Sequence, residues 1–176
     1  MSVPVRPVVL LTSSRAESNT RSLAEIAFPS DVADYIDANA MNIGYYAYDQ
    51  SNAADDFLPL IERIIAHELW VLATPLHWYT MSALAKTFVD RLSDLLSTRK
   101  DLGERLKGKR FAAICSGTDP MLPMSFDEPF LLTCNYLGMK YCGSCYGQFE
   151  EREIASVNVR AQALAFGRIV SMIDGE

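Results

Sequence analysis

Hydrophobic and polar residues follow two patterns along this chain, which predict strands and helices in turn. Short apolar runs, the clearest at 8–11 and 69–74, are typical of strands in a parallel sheet covered on both faces. Apolar residues at 3.6-residue spacing predict helices between these runs. The predicted strands are residues 8–11, 32–38, 69–74, 110–115 and 140–149. The predicted helices are residues 18–28, 55–68, 80–97, 126–137 and 151–173.

Three of the predicted helices carry more specific signals. Gly138 follows the helix at 126–137, in the position where glycine commonly ends a helix. The last helix has an apolar stripe, the side that normally faces the core, formed by Val157, Ala161, Leu164, Ala165, Ile169 and Met172. The helix at 80–97 has a main stripe of Leu84, Phe88, Leu92, Leu95 and Leu96 and an apolar flank of Met81, Ala85 and Val89. Because this surface is wider than one sheet face covers, it suggests a two-fold dimer.

Strand and helix alternate about five times, which indicates an α/β fold with an open parallel sheet and helices on both faces. No internal repeat, low-complexity tract or linker divides the chain, so we expect a single domain over 1–176. In such sheets, ligands bind beyond the carboxyl ends of the strands, where the strand order reverses. The loops after the first, third and fourth predicted strands are therefore the expected place for a site.

Composition and charge narrow the class of partner. The 176 residues carry a net charge of -6 at pH 7, which disfavours a nucleic acid or an anionic membrane surface. No apolar run approaches the ~20 residues that cross a bilayer. The first apolar run is also too short for a secretory signal. We therefore expect a cytoplasmic location.

The cysteines suggest core packing rather than chemistry. Cys142 and Cys145 form a C-x-x-C motif, a spacing found at redox and zinc sites. Within a predicted strand, however, residues three apart point to opposite faces and lie roughly 10 Å apart, too far for a disulfide. His67 and His77 show no paired spacing that would complete a zinc site. We therefore expect core thiols and no metal site.

The loop after the first strand, TSSRAESNT, concentrates hydrogen-bonding side chains at the start of a helix. A helix start exposes unpaired N–H groups and a partial positive charge, so it attracts anions. The candidate phosphate ligands are Ser13, Arg15, Ser18, Asn19 and Thr20. A simple N-cap explains only one or two of these residues. The G-x-G-x-x-G fingerprint of dinucleotide sites does not occur in the chain.

The loop after the third strand, ATPLHWYTMSALAKTFVDR, brings aromatic and backbone groups to the same edge of the sheet. Its candidate site residues are Pro75, Leu76, His77, Trp78 and Tyr79. Such a cluster suits a flat conjugated ring, although a stiff turn that closes the core has the same composition. The loop after the fourth strand, residues 115–119, is small and polar enough to line the other side of that ring, and its candidate site residues are Ser116 and Gly117. A predicted phosphate site beside a predicted site for a planar ring matches the two ends of flavin mononucleotide, FMN.

These segments resemble a known family. T-S-S-R-x-x-S-N-T is similar to the G-S-x-R-x-x-S-N-T motif of the flavodoxin-like, NAD(P)H-dependent FMN reductases, which include quinone oxidoreductases. ATPLHWYTMSALAKTFVDR resembles their A-T-P-x-Y-W-Y-S-M-S-x-x-x-K-x-F-x-D-R segment, and YLGMKYCG their Y-L-G-M-x-Y-x-G. The resemblance covers nearly the whole chain. It implies a flavodoxin-like five-stranded sheet of order 2-1-3-4-5, bound FMN and a homodimer.

The resemblance also implies roles for single residues. Ser13, Arg15, Ser18, Asn19 and Thr20 would hold the FMN phosphate. Pro75, Leu76, His77, Trp78 and Tyr79 would lie along the isoalloxazine and ribityl, and Ser116 and Gly117 would approach from the third loop. The chain departs from the family pattern at two positions. Thr12 replaces the leading glycine, where it would tighten or re-aim the phosphate loop, and His77 replaces a tyrosine.

Three functions are compatible with these features. The first is an FMN-containing oxidoreductase that passes electrons from NAD(P)H to a quinone, free flavin or azo compound. The second is a flavodoxin-type electron carrier with protein partners and no nicotinamide turnover, and the third is a flavin-free scaffold. Arg15 and the WYTMSALAKTF segment favour the reductase. No side chain is assigned as a catalytic acid or base, because the cofactor itself carries the redox chemistry.

Overall fold

A single parallel sheet forms the centre of the protein, in a computed structural model that describes residues 6–150 and 154–172. Within these residues the sheet has five strands in the order β2-β1-β3-β4-β5. The strands are β1 (Val8–Leu11), β2 (Asp34–Asp37), β3 (Leu69–Pro75), β4 (Arg110–Gly117) and β5 (Lys140–Gln148). All neighbouring strands are parallel. This architecture confirms the predicted flavodoxin-like fold and its strand order.

Helices cover both faces of the sheet. They are α1 (Asn19–Ala27), α2 (Phe57–Ile64), α3 (Ala83–Arg91), α4 (Asp94–Ser97), α5 (Lys100–Glu104), α6 (Glu128–Leu137) and α7 (Val157–Met172). Short 3-10 helices lie at Ala38–Ala40 and Met124–Phe126. Buried residues of α1 and α7 pack on one face, and those of α2 to α6 pack on the other. Among the described residues, no helix has the length and hydrophobicity needed to cross a bilayer.

Strand residues alternate between the two core clusters, as the pleat of a strand requires. In β1, Val8 and Leu10 join the cluster under α2 to α6, whereas Val9 and Leu11 join the cluster under α1 and α7. Every residue of β1 is buried, because both faces of a parallel sheet are covered. The continuous apolar run in the sequence follows from this double burial.

The predicted helix at 80–97 is divided in the structure. Ser82 caps α3 through a hydrogen bond that its side chain accepts from the N–H of Ala85. After α3, the N–H groups of Leu92 and Ser93 bond to carbonyls three residues back, so the chain tightens before α4 begins. The following helix, α5, was not predicted, because its five residues include a single buried apolar side chain, Leu102.

Strand β5 contains a bulge that corrects the prediction for its cysteines. Phe111 pairs with Tyr141 while Ala113 pairs with Ser144, so β5 has one residue more than β4 over this stretch. Gly143 lies there with a φ of 88°, a conformation that glycine adopts without strain. The extra residue shifts the alternation by one position, so Cys142 and Cys145 both pack against the core on the α1 and α7 face. The prediction that they point to opposite faces is wrong.

The last helix is rotated relative to its prediction. The predicted apolar stripe faces solvent at Val157, Leu164, Ile169 and Met172, and Ala161 and Ala165 are exposed beside them. The side toward the sheet and α1 carries Val159, Ala163, Gly167 and Val170 instead. A side-chain carbon at Gly167 would lie 1.9 Å from the carbonyl oxygen of Ala27, so this close approach requires glycine. The predicted positions 151–153 and 173 lie outside the described residues.

The end of α6 agrees with its sequence signal. Gly138 follows Leu137 with a φ of 70°, in the left-handed conformation that ends many helices. Its N–H donates to the carbonyls of Asn135 and Cys134, which satisfies backbone groups at the helix end. The prediction of a glycine C-cap is confirmed.

A buried arginine ties the long connector 41–56 to the helices. Arg91 is 2% exposed and forms an ion pair with Asp55. Its Nε also contacts Asp94 at 2.7 Å, and its Nη1 donates to the carbonyl of Gly44 at 3.0 Å. The guanidinium carbon lies 4.7 Å from the centroid of the Phe57 ring, within range of a cation–π contact. These contacts compensate for the cost of burying the charge.

Candidate functional site

A cleft of about 600 Å³ opens at the carboxyl ends of the strands. It lies where the order of the sheet reverses, and the loops after β1, β3, β4 and β5 form its walls. Ten of the twelve predicted site residues line it: Ser13, Arg15, Ser18, Asn19, Thr20, Pro75, Leu76, His77, Ser116 and Gly117. Its volume is within the range usual for sites that bind small molecules.

The loop after β1 presents hydroxyl groups and a helix start to the cleft. Ser18 is the N-cap of α1, and its Oγ accepts a hydrogen bond from the N–H of Arg21 at 3.1 Å. The Oγ of Ser13 accepts a hydrogen bond from the N–H of Arg15 at 3.2 Å. Because both hydroxyls serve the protein as acceptors, each retains its own O–H for donation to a ligand. A helix start with such donors is a good binding place for an anion.

The charged side chains around the cleft have both signs. Arg15 is exposed, and no other side chain of the described residues pairs with its guanidinium. Glu17 and Glu150 also line the cleft and are exposed. A guanidinium can bond two phosphate oxygens at once, whereas a carboxylate repels an anion that comes close to it. Arg15 therefore marks the end of the cleft that suits a phosphate.

Two hydroxyl groups join the loops beneath the cleft. Thr20 in the first turn of α1 and Ser116 at the end of β4 share a hydrogen bond of 2.7 Å, and both residues are buried. Thr20 was predicted as a phosphate ligand, and the structure gives its hydroxyl a protein partner. This bond fixes the distance between the first turn of α1 and the end of β4.

Thr12 and Ser82 form a second buried connection, which no motif in the sequence predicts. The Oγ1 of Thr12 donates to the carbonyl of Ala73 at 2.8 Å, so this side chain points to β3 rather than into the phosphate loop. The Oγ of Ser82 donates to the carbonyl of Thr12 at 2.8 Å. The N–H of Ser82 in turn donates to the Oγ1 of Thr74 at 2.9 Å. These bonds hold the loop after β1 beside the start of α3.

The loops after β3 and β4 meet closely on the other side of the cleft. The N–H of Leu76 donates to the carbonyl of Ser116 at 2.7 Å. A side-chain carbon at Gly117 would lie 2.8 Å from the hydroxyl of Tyr146 and 3.0 Å from the Cβ of Leu76, so a larger residue would disturb this wall. The hydroxyl of Tyr146 donates to the carbonyl of Asp119, and burial raises its pKa to about 12. It is therefore an uncharged structural group at neutral pH.

A two-residue hairpin turn follows this wall. His77 and Thr80 exchange backbone hydrogen bonds of 2.9 and 3.1 Å across the turn. Trp78 and Tyr79 between them have φ values of 47° and 68°, a left-handed conformation that is strained for aromatic residues. Their side chains are 92% and 61% exposed, and neither residue lines the cleft. The structure therefore brings His77 to the cleft edge but leaves Trp78 and Tyr79 outside it.

Several cleft residues were not predicted. These are Ser14, Glu17, Phe149 and Glu150, whereas Thr118, which also lines the cleft, belongs to the loop after β4 that was expected there. The N–H of Phe149 donates to the carbonyl of Gly117, which joins the end of β5 to the loop after β4. A signal for Phe149 and Glu150 was present, because the carboxyl end of the fifth strand lies at the same edge of a parallel sheet.

The arrangement suits an elongated ligand with an anionic end. The start of α1, Arg15 and the hydroxyls of Ser13 and Ser18 surround the anionic end. The apolar and backbone groups of Pro75 and Leu76 line the part of the cleft that is suited to a flat ring. The donor set therefore fits a phosphate linked to a planar ring, as in FMN.

The sequence profile of a family described as NADPH-dependent FMN reductase matches residues 5–150 of this chain. A Bacillus subtilis protein whose name describes it as an NAD(P)H-dependent FMN-containing oxidoreductase, YwqN, is 30% identical over 98 residues. That match covers 53% of this chain and 54% of the relative, so the chain spans about half the length of the curated relative.

Solved structures share the fold. The Trp repressor binding protein from Bacillus subtilis superposes with a TM-score of 0.72 at 23% identity, covering 97% of this chain and 100% of the other. The NADPH-quinone reductase from P. pentosaceus superposes with a TM-score of 0.68 at 15% identity, covering 96% and 99%. At such identities the similarity establishes the fold alone.

Proposed function

Because the chain belongs to the NADPH-dependent FMN reductase family, we propose that its cleft binds FMN and that the protein passes electrons from NAD(P)H to a small acceptor. The acceptor class is a quinone, a free flavin or an azo compound. One observation carries the proposal: at one end of the cleft the start of α1 meets two hydroxyl donors and Arg15, whose guanidinium pairs with no other side chain of residues 6–150 and 154–172, while Pro75 and Leu76 line another part. We also propose that residues 1–176 form one domain, since all five described strands join one sheet.

The loop after β1 would bind the phosphate. Ser13 and Ser18 would donate their hydroxyl hydrogens, and Arg15 would supply the charge that neutralises the anion. Thr20 would act indirectly, because its hydrogen bond to Ser116 positions the first turn of α1. Asn19, at the first position of α1, would add a polar group beside the same anion.

The loops after β3 and β4 would hold the ring. Pro75 and Leu76 would pack along it, and Ser116 and Gly117 would approach from the adjoining strand. Bound FMN would supply the two-electron chemistry that links a nicotinamide to the acceptor. His77 lines the edge of the cleft, where its side chain would contact the edge of the ring. Trp78 and Tyr79 would form an exposed wall beyond the ring.

Steady-state assays test this function against its alternatives. The protein, loaded with FMN, is given NADH or NADPH together with a panel of quinones, free flavins and azo compounds. We expect consumption of the nicotinamide that depends on one of these acceptors. Bound flavin without such consumption would favour the flavodoxin-type electron carrier, and failure to bind flavin would favour a scaffold. We also propose a cytoplasmic location, because the proposed reaction uses NAD(P)H, which the cytoplasm supplies.

We further propose that the protein forms a homodimer through α3, α4 and α6. Met81 and Ala85, predicted to form an outward flank, are buried in the protein's own core. Exposed apolar surface lies closer to the C-terminal end of the predicted helix, where a groove of about 340 Å³ separates α3 and α4 from α6. Leu96, Leu132 and Tyr136 line this groove and are 42%, 58% and 77% exposed. A second copy would cover these side chains.

A further inference from the structure

The peptide that joins Thr12 to Ser13 leads from β1 into the loop at the phosphate end of the cleft. Thr12 is fully buried, and its N–H donates to the carbonyl of Ala73 at 2.9 Å. Its Oγ1 donates to the same carbonyl at 2.8 Å. These bonds continue the pairing of β1 with β3 by one residue beyond Leu11. Thr12 therefore has a fixed position relative to β3.

Pro75 leaves the carbonyl of Thr12 without its usual partner. In a parallel pair, a residue whose N–H bonds to one position of the neighbouring strand accepts, at its carbonyl, the N–H from two positions further along. Thr12 donates to Ala73, so its carbonyl would accept the N–H of residue 75. Proline has no N–H, and a buried carbonyl without a donor is costly. This point of the sheet therefore needs a donor from another part of the chain.

The hydroxyl of Ser82 is that donor. Its Oγ donates to the carbonyl of Thr12 at 2.8 Å and accepts a hydrogen bond from the N–H of Ala85 at 3.2 Å. The N–H of Ser82 donates to the Oγ1 of Thr74 at 2.9 Å, and the residue is buried. These three bonds fix the orientation of the hydroxyl. Ser82 therefore replaces the N–H that Pro75 lacks.

The other edge of the same peptide carries the N–H of Ser13. In a trans peptide the C=O and the N–H point in opposite directions, and the described residues contain no cis peptide. The N–H of Ser13 therefore points away from Ser82. Ser13 is 7% exposed and lines the cleft, yet its N–H donates to no residue within 6–150 or 154–172. Buried N–H groups without a partner are rare, so this donor is available to a ligand.

We propose that Ser82 is a positioning residue for the phosphate of FMN, although it does not itself line the cleft. Its hydroxyl holds the carbonyl of Thr12, and the rigid peptide then directs the N–H of Ser13 to a phosphate oxygen. This role rests on the proposed binding of FMN, because the phosphate is the acceptor for that N–H. Without the hydroxyl, the peptide loses the bond that fixes its plane, and the N–H of Ser13 loses its direction. Binding of riboflavin, which has no phosphate, does not depend on this donor.

The affinities of the flavin-free protein for FMN and for riboflavin test the proposal by fluorescence titration. We expect Ser82→Ala to weaken FMN binding about tenfold and to leave riboflavin binding within about twofold of the wild type. Ser82→Thr, which keeps the hydroxyl, should bind both flavins like the wild type. Ser82→Cys, which fills the same space with a weak donor, should also lose FMN affinity selectively and serves if Ser82→Ala does not fold. Equal weakening for FMN and riboflavin would show a purely structural role and overturn the proposal.

A second substitution separates this role from the capping of α3. Ser82→Ala also removes the acceptor for the N–H of Ala85, which caps the helix. Pro75→Ala gives position 75 an N–H directed at the carbonyl of Thr12, but it does not restore the cap. Because Pro75 lines the cleft, the informative quantity is the ratio of FMN affinity to riboflavin affinity. We expect Pro75→Ala to restore this ratio in the Ser82→Ala background, with Pro75→Ala alone as the control. A ratio that stays low in the double variant would overturn the proposal.

Nuclear magnetic resonance of the nitrogen-15-labelled protein observes the N–H of Ser13 directly. We expect FMN, and not riboflavin, to move the amide proton of Ser13 downfield, as a new hydrogen bond to an anion does. The shift should occur in the wild type and in Ser82→Thr and should be smaller in Ser82→Ala. Equal FMN affinity and equal shifts in the wild type and Ser82→Ala would overturn the role of Ser82 alone. A wild type that binds no FMN would overturn both this role and the proposed function.

Discussion

Hydroxyl groups of the cleft fall into two classes according to where their hydrogen bonds go. Ser13 and Ser18 accept hydrogen bonds from backbone N–H groups and keep their hydrogens for a ligand. Thr20 and Ser116 are buried and bond to each other. We therefore expect substitutions in the first class to change ligand binding, and substitutions in the second to change the stability of the fold first.

The phosphate contacts are tested by replacing Arg15 and Ser18 together with alanine. A hydrogen bond to a charged group contributes roughly 1.5–3 kcal/mol, so losing two polar contacts should weaken FMN binding at least tenfold. Riboflavin, which lacks the phosphate, should bind both proteins equally well. The measurement is a titration of flavin fluorescence. Arg160→Ala serves as the control, because Arg160 lies in α7 and does not line the cleft. Equal FMN affinity in the double variant and the wild type would remove this loop from the site.

The hydroxyl pair is tested with Thr20→Val, which keeps the shape of the side chain. Ser116 would then lose its buried partner, and we expect the free energy of unfolding to fall by about 1–2 kcal/mol. Thr20→Ser, which retains the hydroxyl, should stay close to the wild type. Urea denaturation of the flavin-free protein measures both values. If Thr20→Val were as stable as the wild type, the hydrogen bond would contribute nothing to the connection between α1 and β4.

Cleft residues could be predicted from the sequence where the strand topology alone determines their position. Ten predicted residues line the cleft, because loops after adjacent parallel strands end at one edge of the sheet. Their contact with FMN stays a prediction. Ser82 bonds to Thr12, 70 positions away, and to Thr74, eight positions away, and no local sequence pattern predicts these hydrogen bonds. The outward position of Trp78 and Tyr79 follows from backbone angles that aromatic residues rarely adopt.

Among the helices and strands, the repeat of apolar residues predicted where each element lies better than it predicted which side of the element is buried. The strands β1 and β3 were predictable because burial on both sides leaves a continuous apolar run. In α7 two stripes compete, and the small residues Ala163 and Gly167 face inward because α1 lies too close for larger ones. In β5 a single extra residue reverses the alternation and places Cys142 and Cys145 on one face. Both errors come from tertiary contacts that periodicity does not contain.

The element-scale prediction concerns the thiols of β5. Burial raises the pKa of Cys145 to about 11 and also raises the pKa of Cys142, so both remain protonated at neutral pH. A protonated thiol is a poor nucleophile and redox partner. Cys142→Ser and Cys145→Ser should therefore retain NAD(P)H-dependent turnover within about twofold of the wild type. A large loss of turnover with flavin still bound would show that these thiols take part in the reaction.

At the scale of the whole molecule, the buried ion pair of Arg91 and Asp55 joins the connector 41–56 to the core. Burial tends to raise the pKa of Asp55, but hydrogen bonds from Arg91, Phe57 and Gly44 outweigh it and lower the pKa overall. The unfolded chain therefore binds a proton more readily than the folded protein. This contribution to stability is complete above the unfolded pKa of about 4 and is lost as the pH falls through the folded pKa.

Two variants test this pair. Arg91→Met keeps the length of the side chain but leaves two carboxylates without their partner, so the free energy of unfolding at neutral pH should fall by about 3 kcal/mol. Asp55→Asn should be less stable than the wild type at neutral pH and should lose less stability between about pH 6 and about pH 3. Urea denaturation across this range gives both results. Parallel pH curves for Asp55→Asn and the wild type would contradict the assigned role of Asp55.

The central claim is that the cleft at the carboxyl edge of the sheet holds FMN for reduction by NAD(P)H. Its most direct test is the visible absorbance of the FMN-loaded protein under anaerobic conditions, first with one equivalent of NADH or NADPH and then with a quinone. We expect that at least one nucleotide bleaches the flavin band and that the quinone restores it. A protein that takes up no FMN, or whose bound flavin keeps its full absorbance with both nucleotides, would not be an FMN reductase of this kind.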